Sequence, residues 1–401
     1  MTLLSRGGAG ARWPVVREEL SEPRSVSTRI GRFLAEEQPA TPCLVIDLDV
    51  VEERYRAVAA ALPDADVYYA VKANPSPGLL ARLAALGSRF DVASPAEIGL
   101  CMAAGVDPAR ISYGNTIKKR RDIAFAFAAG VRLFAVDSEE ELGKVAATAP
   151  GTQVLVRVLV SGAGADWPLS RKFGCEPDMA VDLLVAARTL GLEPVGVSFH
   201  VGSQQRRPAM WDPALERAAE VLHQVRACGI PVDVVNIGGG FPTGYSDDVL
   251  DISAYGDAIG ASVHRHLGDI CPRLLCEPGR YVAGDAGVLR AEVVLVSRKA
   301  YGDEHRWVYL DVGRFGGLAE TEGEAIRYPM VTSRDGGPVG PVILAGPTCD
   351  SVDVLYEHTR YELPLTLAAG DTVDILAAGA YTASYASAGF NGFAPLHVHE
   401  L

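Results

Sequence analysis

The sequence has few of the features that mark membrane-spanning, metal-binding or disulfide-stabilised proteins. No apolar run reaches the roughly 18 residues that a membrane span needs. The N-terminal stretch lacks an apolar core long enough for a secretory signal, so a cytoplasmic location is the default expectation. The seven cysteines include no CxxC pair. Neither a disulfide framework nor a structural zinc site is therefore expected.

Basic residues are also in deficit. The chain has 37 Lys and Arg against 50 Asp and Glu, a formal net charge of −13. Because nucleic-acid binding depends on neutralising phosphates with Lys and Arg, this balance disfavours a nucleic-acid partner. An acidic surface instead favours small cationic molecules through electrostatic steering. We expect a small-molecule partner, with neither nucleic acid nor membrane involved.

The order of apolar runs predicts the fold class. Residues 1–40 are rich in Arg, Gly, Ser and Pro, and we interpret them as a partly flexible N-terminal extension with a short helix near Ser27–Glu37. From residue 41 to residue 280, eight apolar runs alternate with segments of helical periodicity. The eight runs are Val67–Val71, Arg89–Val92, Ile111–Tyr113, Leu133–Val136, Val154–Val158, Val195–Phe199, Val234–Ile237 and Leu274–Cys276. An α/β fold of the (β/α)8 TIM-barrel type is predicted, with an open doubly wound sheet as the alternative.

The pattern changes after residue 281. Short strand-like runs separated by Gly- and Pro-rich turns replace the alternation, with no long helices between them. These runs are Ala291–Ser297, Arg306–Leu310, Val342–Leu344 and Thr372–Leu376. Residues 281–401 are therefore predicted to form a second, mainly-β domain.

Polar residues close several of the predicted barrel strands, and chemistry in such barrels sits at the carboxyl ends of the strands. The candidates are Lys72, Asp91, Arg157, His200, Gly238–Gly240 and Glu277. Lys72 follows the apolar run VYYAV, and partial desolvation would lower its pKa and leave a neutral amine able to form a Schiff base. A lone lysine at a barrel rim is more often structural, so the neighbouring motifs decide its role.

Those motifs together suit a pyridoxal-phosphate site. Three successive glycines can present backbone N–H groups to a phosphate, with Arg280 pairing with the same anion. Glu277 can keep a pyridine nitrogen protonated, which makes the ring a better electron sink. His200 can stack on the ring, with Asp91 and Glu97 orienting it or the Schiff base. Each residue also has a structural interpretation: a tight turn, a surface ion pair or a core histidine.

Two motifs of the second domain are further candidates. GPTCDSVD, residues 346–353, joins the thiol of Cys349 to the carboxylate of Asp350 in one turn. Cys349 could deliver a proton and Asp350 could bind a cationic substrate tail, although a turn with a buried cysteine is the plainer interpretation. The stretch Gly379–Phe393 is dense in Gly, Ser and aromatic residues, which is typical of a loop lining a ligand site.

Taken in order, the motifs resemble the fold-type III pyridoxal-phosphate decarboxylases, the alanine-racemase-like barrel enzymes. Within these, the chain looks most like a bacterial subtype of the eukaryotic-type ornithine/lysine decarboxylases. The resemblance covers roughly residues 40–395. It rests on YAVKAN, RFDVASPAEI, RKFG, SFHVGSQ, NIGGGFP, CEPGRYV, GPTCDSVDVLYE and GAYT. Any one motif is weak, but their joint order is specific.

The resemblance implies a role for each matching residue. Lys72 would hold pyridoxal 5′-phosphate, Glu277 would pair with the pyridine nitrogen, His200 would stack on the ring, and Arg157 would lie near the ring hydroxyl. Asp91 and Glu97 would support these residues from the layer around them. The residues implied to hold the phosphate are Ser203, Gly239, Gly240, Gly279, Arg280 and Tyr381.

The resemblance also implies a substrate and an assembly. Cys349 would return a proton to the substrate α carbon, and Asp350, Tyr381 and Phe390 would contact the substrate. In relatives the site is completed across a head-to-tail homodimer, so Cys349 and Asp350 would come from the neighbouring subunit. The implied reaction is decarboxylation of a basic amino acid, L-ornithine to putrescine and CO2 first, with L-lysine to cadaverine as a further possibility.

One segment departs from the eukaryotic pattern. Relatives carry Asn-Asp-Gly, with the Asp as a second contact for the substrate amine, where this chain has Asp311-Val312-Gly313. A shift of one position reverses the side of a strand on which a side chain lies. Glu320, Glu322 and Glu324 follow and offer alternative acidic contacts. The choice between ornithine, lysine and an atypical substrate therefore stays open.

Three rival functions remain. Diaminopimelate decarboxylase must bind a distal carboxylate, and its relatives have Cys-Glu-Ser where this chain has Cys349-Asp350-Ser351. Alanine racemase has no place for the Cys349–Asp350 pair. A non-catalytic homologue that binds a regulatory partner would be expected to lose cofactor residues, whereas Lys72 and Glu277 are present.

Overall fold

The structure, a computed structural model, describes residues 26–167, 171–246 and 248–401. Eighteen strands occur in these residues: β1 Cys43–Ile46, β2 Ala65–Ala70, β3 Arg89–Val92, β4 Ile111–Tyr113, β5 Leu133–Val136, β6 Gln153–Arg157, β7 Ala165–Trp167, β8 Glu193–Ser198, β9 Ser203–Gln205, β10 Val234–Asn236, β11 Arg273–Cys276, β12 Gly287–Ser297, β13 Arg306–Leu310, β14 Met330–Thr332, β15 Val339–Ala345, β16 Val354–Pro364, β17 Thr372–Ile375 and β18 His397–Glu400.

Ten α-helices accompany the strands in the same part of the chain: α1 Thr28–Glu37, α2 Leu48–Ala61, α3 Pro77–Ala85, α4 Pro95–Ala103, α5 Arg120–Ala129, α6 Glu139–Thr148, α7 Pro177–Thr189, α8 Trp211–Ala227, α9 Ile252–Leu267 and α10 Arg280–Ala283. Local sequence explains where several begin. Ser94 and Ser138 cap α4 and α6 through their side chains, and Pro occupies the first turn of α3, α4 and α7, where its missing N–H costs nothing. None of these helices is long and apolar enough to cross a membrane.

A closed barrel of eight strands forms the centre of the molecule, in the order β2, β3, β4, β5, β6, β8, β10 and β11. Every neighbouring pair is parallel, and β11 closes the ring by pairing with β2. All eight predicted barrel strands are thus confirmed, and the open-sheet alternative is wrong. The predicted N-terminal helix is observed as α1, whereas residues 1–25 lie outside the described residues.

The second domain is a mainly antiparallel sheet in the order β14, β17, β12, β13, β15 and β16. The four strands predicted after residue 281 are all present. The strand β1 joins this sheet by pairing with β12, and β18 pairs with β1. Residues 43–46 therefore belong to the second sheet, although the predicted boundary at residue 41 placed them in the barrel.

Strand alternation separates the inside of the barrel from its helical coat. A cluster of Tyr68, Leu155, Val195, Val234 and Leu275, from five different strands, fills the interior. For Tyr68, Leu155 and Leu275, both neighbours in sequence belong to the large core between strands and helices. Because side chains in a strand alternate between faces, a residue two positions after an interior residue also faces inward, nearer the mouth.

The second domain forms hydrogen bonds with the segment that follows the first barrel strand, β2. The Tyr381 N–H donates to the Ala73 carbonyl at 2.8 Å, and the Asn74 amide donates to the Gly379 carbonyl at 2.7 Å. Further along, the Glu400 carboxylate accepts the Gly78 and Leu79 N–H groups, at 3.0 and 2.8 Å. The last strand of the chain therefore caps helix α3.

This cap yields a stability prediction. An amide offers one acceptor oxygen where a carboxylate offers two, so Glu400→Gln leaves one N–H of α3 without a partner. We expect the free energy of unfolding to fall by about 1 kcal/mol, measured as a shift of the urea midpoint. Glu220→Gln, on the exposed face of α8, is the control. Equal shifts in both variants would contradict the assignment.

Candidate active site

The carboxyl ends of the barrel strands bring the predicted residues together at one mouth. Two positions beyond the interior residues Leu155, Val234 and Leu275 come Arg157, Asn236 and Glu277, which face into the mouth by strand alternation. The cavity there is also lined by the following residues: Ser112, Gly114, Ala135, Leu155, Ser198, Phe199 and His200.

Lys72 lies in this mouth, in a short turn directly after β2. Its side chain is 47% exposed, and its Nζ lies 3.9 Å from Asp91 Oδ2. Enclosure lowers the pKa of Lys72, but the electrostatic effects of Asp91, the Tyr381 hydroxyl and Glu277 outweigh it, so the net pKa is raised. The expectation of a lowered pKa was wrong because it considered desolvation and not the charges around the amine.

Asp91 is buried beside Lys72. Burial and the charge of Glu277 raise the pKa of Asp91 well above its ordinary value, against the opposing effect of Lys72. Its Oδ1 has no hydrogen-bond partner among the described residues. A Cβ at position 114 would lie 2.1 Å from that oxygen, so Gly114 makes the room that the carboxylate occupies.

His200 is held in one tautomer by the backbone. Its Nδ1 accepts the Gly202 N–H at 3.1 Å, so a neutral ring carries its proton on Nε2. Burial, together with the charges of Arg157 and Lys72, lowers the pKa of His200 well below its ordinary value. The Glu97 carboxylate accepts the Ala93 N–H at the start of α4 and interacts electrostatically with Lys72.

The glycine run forms a cradle that side chains would block. Gly238 and Gly240 have φ of 68° and 102°, in the left-handed region that favours glycine. A Cβ on Gly239 would lie 2.5 Å from the Glu277 carbonyl oxygen, and one on Gly240 would lie 2.3 Å from the Gly202 carbonyl oxygen. Such close backbone approach leaves N–H groups free to face an anion.

Arg280 adds a buried guanidinium beside this cradle. Only 3% exposed, it donates from Nε to Ser203 Oγ at 3.1 Å and from Nη1 to Tyr245 Oη at 2.8 Å. Glu320 accepts from both Nη atoms, at 2.8 and 2.6 Å. The Tyr381 ring lies 4.7 Å from the guanidinium carbon. Gly279 packs closely here, since a Cβ on it would lie 2.8 Å from the Ala73 Cβ.

The sequence analysis did not include Tyr245, and it assigned Glu320 to a substrate rather than to Arg280. Glu320, Glu322 and Glu324 were expected to offer acidic contacts to a substrate. Glu320 instead neutralises Arg280, and Glu324 caps the backbone N–H groups of residues 357–359 in β16. Glu322 is exposed at the surface. These contacts depend on chain segments far apart in sequence, so no local pattern could reveal them.

Cys349, Asp350 and Phe390 form a second group away from the mouth. Cys349 is an exposed free thiol, and its N–H donates to Asn391 Oδ1 at 3.1 Å. The Phe390 ring packs against Phe315 in a tilted arrangement with centroids 4.6 Å apart. No contact among the described residues of one protomer joins these three to Lys72.

A cavity of about 260 Å³ adjoins this second group. It is lined by Phe315, Thr348, Phe390 and, at its far side, Asp311. The Asp311 carboxylate accepts the Glu292 N–H at 2.9 Å. The shifted acidic residue is therefore occupied by the backbone of β12 rather than lying at Lys72.

The buried pair of Arg280 and Glu320 gives a second stability prediction. Glu320→Gln leaves a buried guanidinium without its full counter-charge, and we expect the free energy of unfolding to fall by on the order of 3 kcal/mol. Thermal and denaturant unfolding of the purified protein measures this loss. Glu322→Gln, in the same turn but exposed, should change little; a comparable loss there would contradict the prediction.

Comparison with known proteins identifies the family. The family model described as "Pyridoxal-dependent decarboxylase, pyridoxal binding domain" matches residues 48–284. A lysine/ornithine decarboxylase of Selenomonas ruminantium is 38% identical over 378 residues, which cover 94% of this chain and 93% of the relative. Both sequence matches agree with the family that the motifs indicated.

Solved structures share the whole architecture. The lysine/ornithine decarboxylase of Vibrio vulnificus complexed with cadaverine has a TM-score of 0.84 at 34% identity, covering 94% of this chain and 99% of that one. An arginine decarboxylase of Paramecium bursaria Chlorella virus has a TM-score of 0.85 at 28% identity, covering 94% and 100%. The predicted alanine-racemase-like barrel with its β domain is confirmed, and the chain belongs to the pyridoxal-dependent decarboxylases.

Proposed function

We propose that this enzyme decarboxylates a basic amino acid, L-ornithine to putrescine and CO2, with L-lysine to cadaverine as the alternative. The class, a carboxy-lyase that uses pyridoxal 5′-phosphate, follows from the family. The substrate is supported by relatives named as lysine/ornithine decarboxylases, and by structures of the Vibrio relative with cadaverine and with putrescine. The observation that carries the proposal is the amine of Lys72, held among carboxylates beside a glycine cradle.

The residues at the mouth fit the cofactor. The cradle of Gly239 and Gly240, with Ser203 and Arg280 beside it, suits a phosphate dianion. Tyr381, whose ring lies against that guanidinium, completes the phosphate end. Gly279 allows the close packing of this end against the Lys72 segment.

Other residues would hold the ring end of the cofactor. Lys72 would hold the aldehyde carbon, Glu277 would face the pyridine nitrogen and Arg157 the ring hydroxyl side. The neutral His200 would stack on the ring. The unpartnered Oδ1 of Asp91 marks a polar position at the mouth that the protein alone does not satisfy.

The cofactor, when bound, supplies an electron sink that stabilises negative charge on the substrate α carbon as CO2 leaves. The protein supplies proton control. Lys72 must lose a proton before its amine can act as a nucleophile. Asp91 Oδ2, 3.9 Å away, is placed to take it. His200, kept neutral, adds no competing charge above the ring.

The second group completes the site across a homodimer. Cys349 and Asp350 are exposed in one protomer and out of contact with its own Lys72. We infer that they enter the mouth of a second protomer, where Cys349 returns the proton to the α carbon and Asp350 binds the distal amine. Phe390 would line the substrate tail.

All seven cysteines are free thiols, which favours the proposed cytoplasmic setting.

The rival functions fit the chemistry less well. A diaminopimelate decarboxylase must bind a distal carboxylate, which Asp350 would repel. A non-catalytic homologue has no need of the buried charges around Lys72, which are costly to maintain without a cofactor to use them.

A substrate panel tests the proposal directly. Release of CO2 from L-ornithine, L-lysine, L-arginine and diaminopimelate is measured with enzyme loaded with pyridoxal phosphate. We expect ornithine or lysine to give the highest kcat/KM. Lys72→Ala should abolish turnover with every substrate. Preference for diaminopimelate would overturn the substrate assignment, and full turnover by Lys72→Ala would overturn the role of the lysine.

The shared site is tested by mixing inactive variants. Lys72→Ala damages the barrel of one protomer and Cys349→Ala damages the contribution to the other. After dissociation and reassociation, half of the dimers carry one intact site, so about a quarter of wild-type activity should return. Mixing Lys72→Ala with Glu277→Gln, which both damage the barrel mouth, should restore none. Absence of recovery in the first mixture would contradict the shared site.

A further inference from the structure

Asn236 is a buried amide at the mouth that no predicted role includes. It ends strand β10 and is only 2% exposed. Its Nδ2 donates to Glu277 Oε1 at 2.6 Å, and its Oδ1 accepts the Gly238 N–H at 2.9 Å. Asn236 thus links the glycine cradle to the carboxylate that would face the pyridine nitrogen.

The direction of these hydrogen bonds follows from the backbone. A peptide N–H can only donate, so the side-chain oxygen of Asn236 must face Gly238. The amide nitrogen is then left facing Glu277, and a nitrogen with two hydrogens can only donate. Glu277 Oε1 is therefore an acceptor in this arrangement.

We propose that Asn236 is a positioning residue for the decarboxylation, which ties down one oxygen of Glu277 and leaves the other, as an anion, to the pyridine nitrogen of the cofactor. The inference rests on the proposed function. It assigns Asn236 a chemical task that an ionised aspartate of the same shape could not perform, because an ionised carboxylate cannot donate to Glu277.

The surrounding charges sharpen this distinction. Lys72, Asp91 and Arg157 act electrostatically on the same small volume as Glu277, and His200 stands beside the cradle. Two carboxylates at hydrogen-bond distance cannot both ionise freely in a buried site, so they share one proton. Less negative charge then remains on the oxygen that faces the ring.

Asn236→Asp is the informative variant, since it keeps the acceptor for Gly238 and removes the donor to Glu277. The enzyme is loaded with pyridoxal phosphate labelled with 15N in the ring, and the ring-nitrogen chemical shift is followed against pH. In wild type we expect the nitrogen to stay protonated over the stable range. In the variant its pKa should fall by about one unit or more, with a loss in kcat larger than the change in KM.

A double-mutant cycle separates positioning from structure. With Glu277→Gln as background, Asn236→Asp should no longer alter the ring nitrogen, because its effect passes through the Glu277 carboxylate. Asn115→Asp adds the same charge at another strand end, where the side chain bonds only weakly to backbone groups, and should leave the ring nitrogen as in wild type. If Asn236→Asp does not fold, Asn236→Ala serves in the same cycle, with a smaller fall expected.

The outcomes distinguish the inference from the proposed function. A ring nitrogen that titrates in Asn236→Asp as in wild type, or an equal effect in both Glu277 backgrounds, overturns the role of Asn236 alone. A wild-type protein that binds no pyridoxal phosphate, or releases no CO2 from any basic amino acid, overturns the proposed function instead.

Discussion

The buried guanidinium of Arg280 is the interaction on which the arrangement of the two domains around the mouth depends. A full positive charge that is 3% exposed must be compensated within the protein. The barrel supplies Ser203 and Tyr245, and the second domain supplies the carboxylate of Glu320. The two domains are thus held in register at the point where the phosphate would bind.

The same requirement extends across the mouth. Lys72 and Arg157 stand among Asp91 and Glu277, and these charges shift the pKa values of Lys72, Asp91 and Arg157. Low solvent access strengthens these effects, so the site works as one charged cluster rather than as separate residues. Backbone groups also orient side chains of the site. The Gly202 N–H donates to His200, and the Gly238 N–H donates to Asn236, which in turn donates to Glu277.

Much of the fold could be predicted because strand and helix periodicities are local. The eight barrel strands and the four strands of the second domain followed from apolar runs and their turns. Four strands of the second sheet were not predicted: β1, β14, β16 and β18. The run of β1 is short and apolar like any barrel strand, and β18, His397–Glu400, is almost wholly polar. The pairing of β1 with β12 and of β18 with β1 joins segments far apart in sequence, which no local pattern reports.

The residues of the site divide in the same way, into those that local motifs reveal and those whose roles depend on contacts with remote parts of the chain. Lys72, His200, the glycine run and Glu277 could be found because each stands at a strand end within a motif. Asn236 carried a usable signal, since it lies two residues beyond the interior Val234 and thus on the inward face. Tyr245 carried none, and the role of Glu320 could not be inferred, because their partner Arg280 is remote in sequence.

By itself, the sequence determined the barrel, the residue types at its mouth and the expectation of a Schiff-base cofactor, because these depend on periodicity and on short motifs. The tertiary structure decided which charges meet. It raised the pKa of Lys72 where desolvation alone would lower it, assigned Glu320 to Arg280, and separated Cys349 and Asp350 from the lysine of the same chain. Such contacts are long-range, and their energies depend on distance and burial, which exist only once the chain has folded.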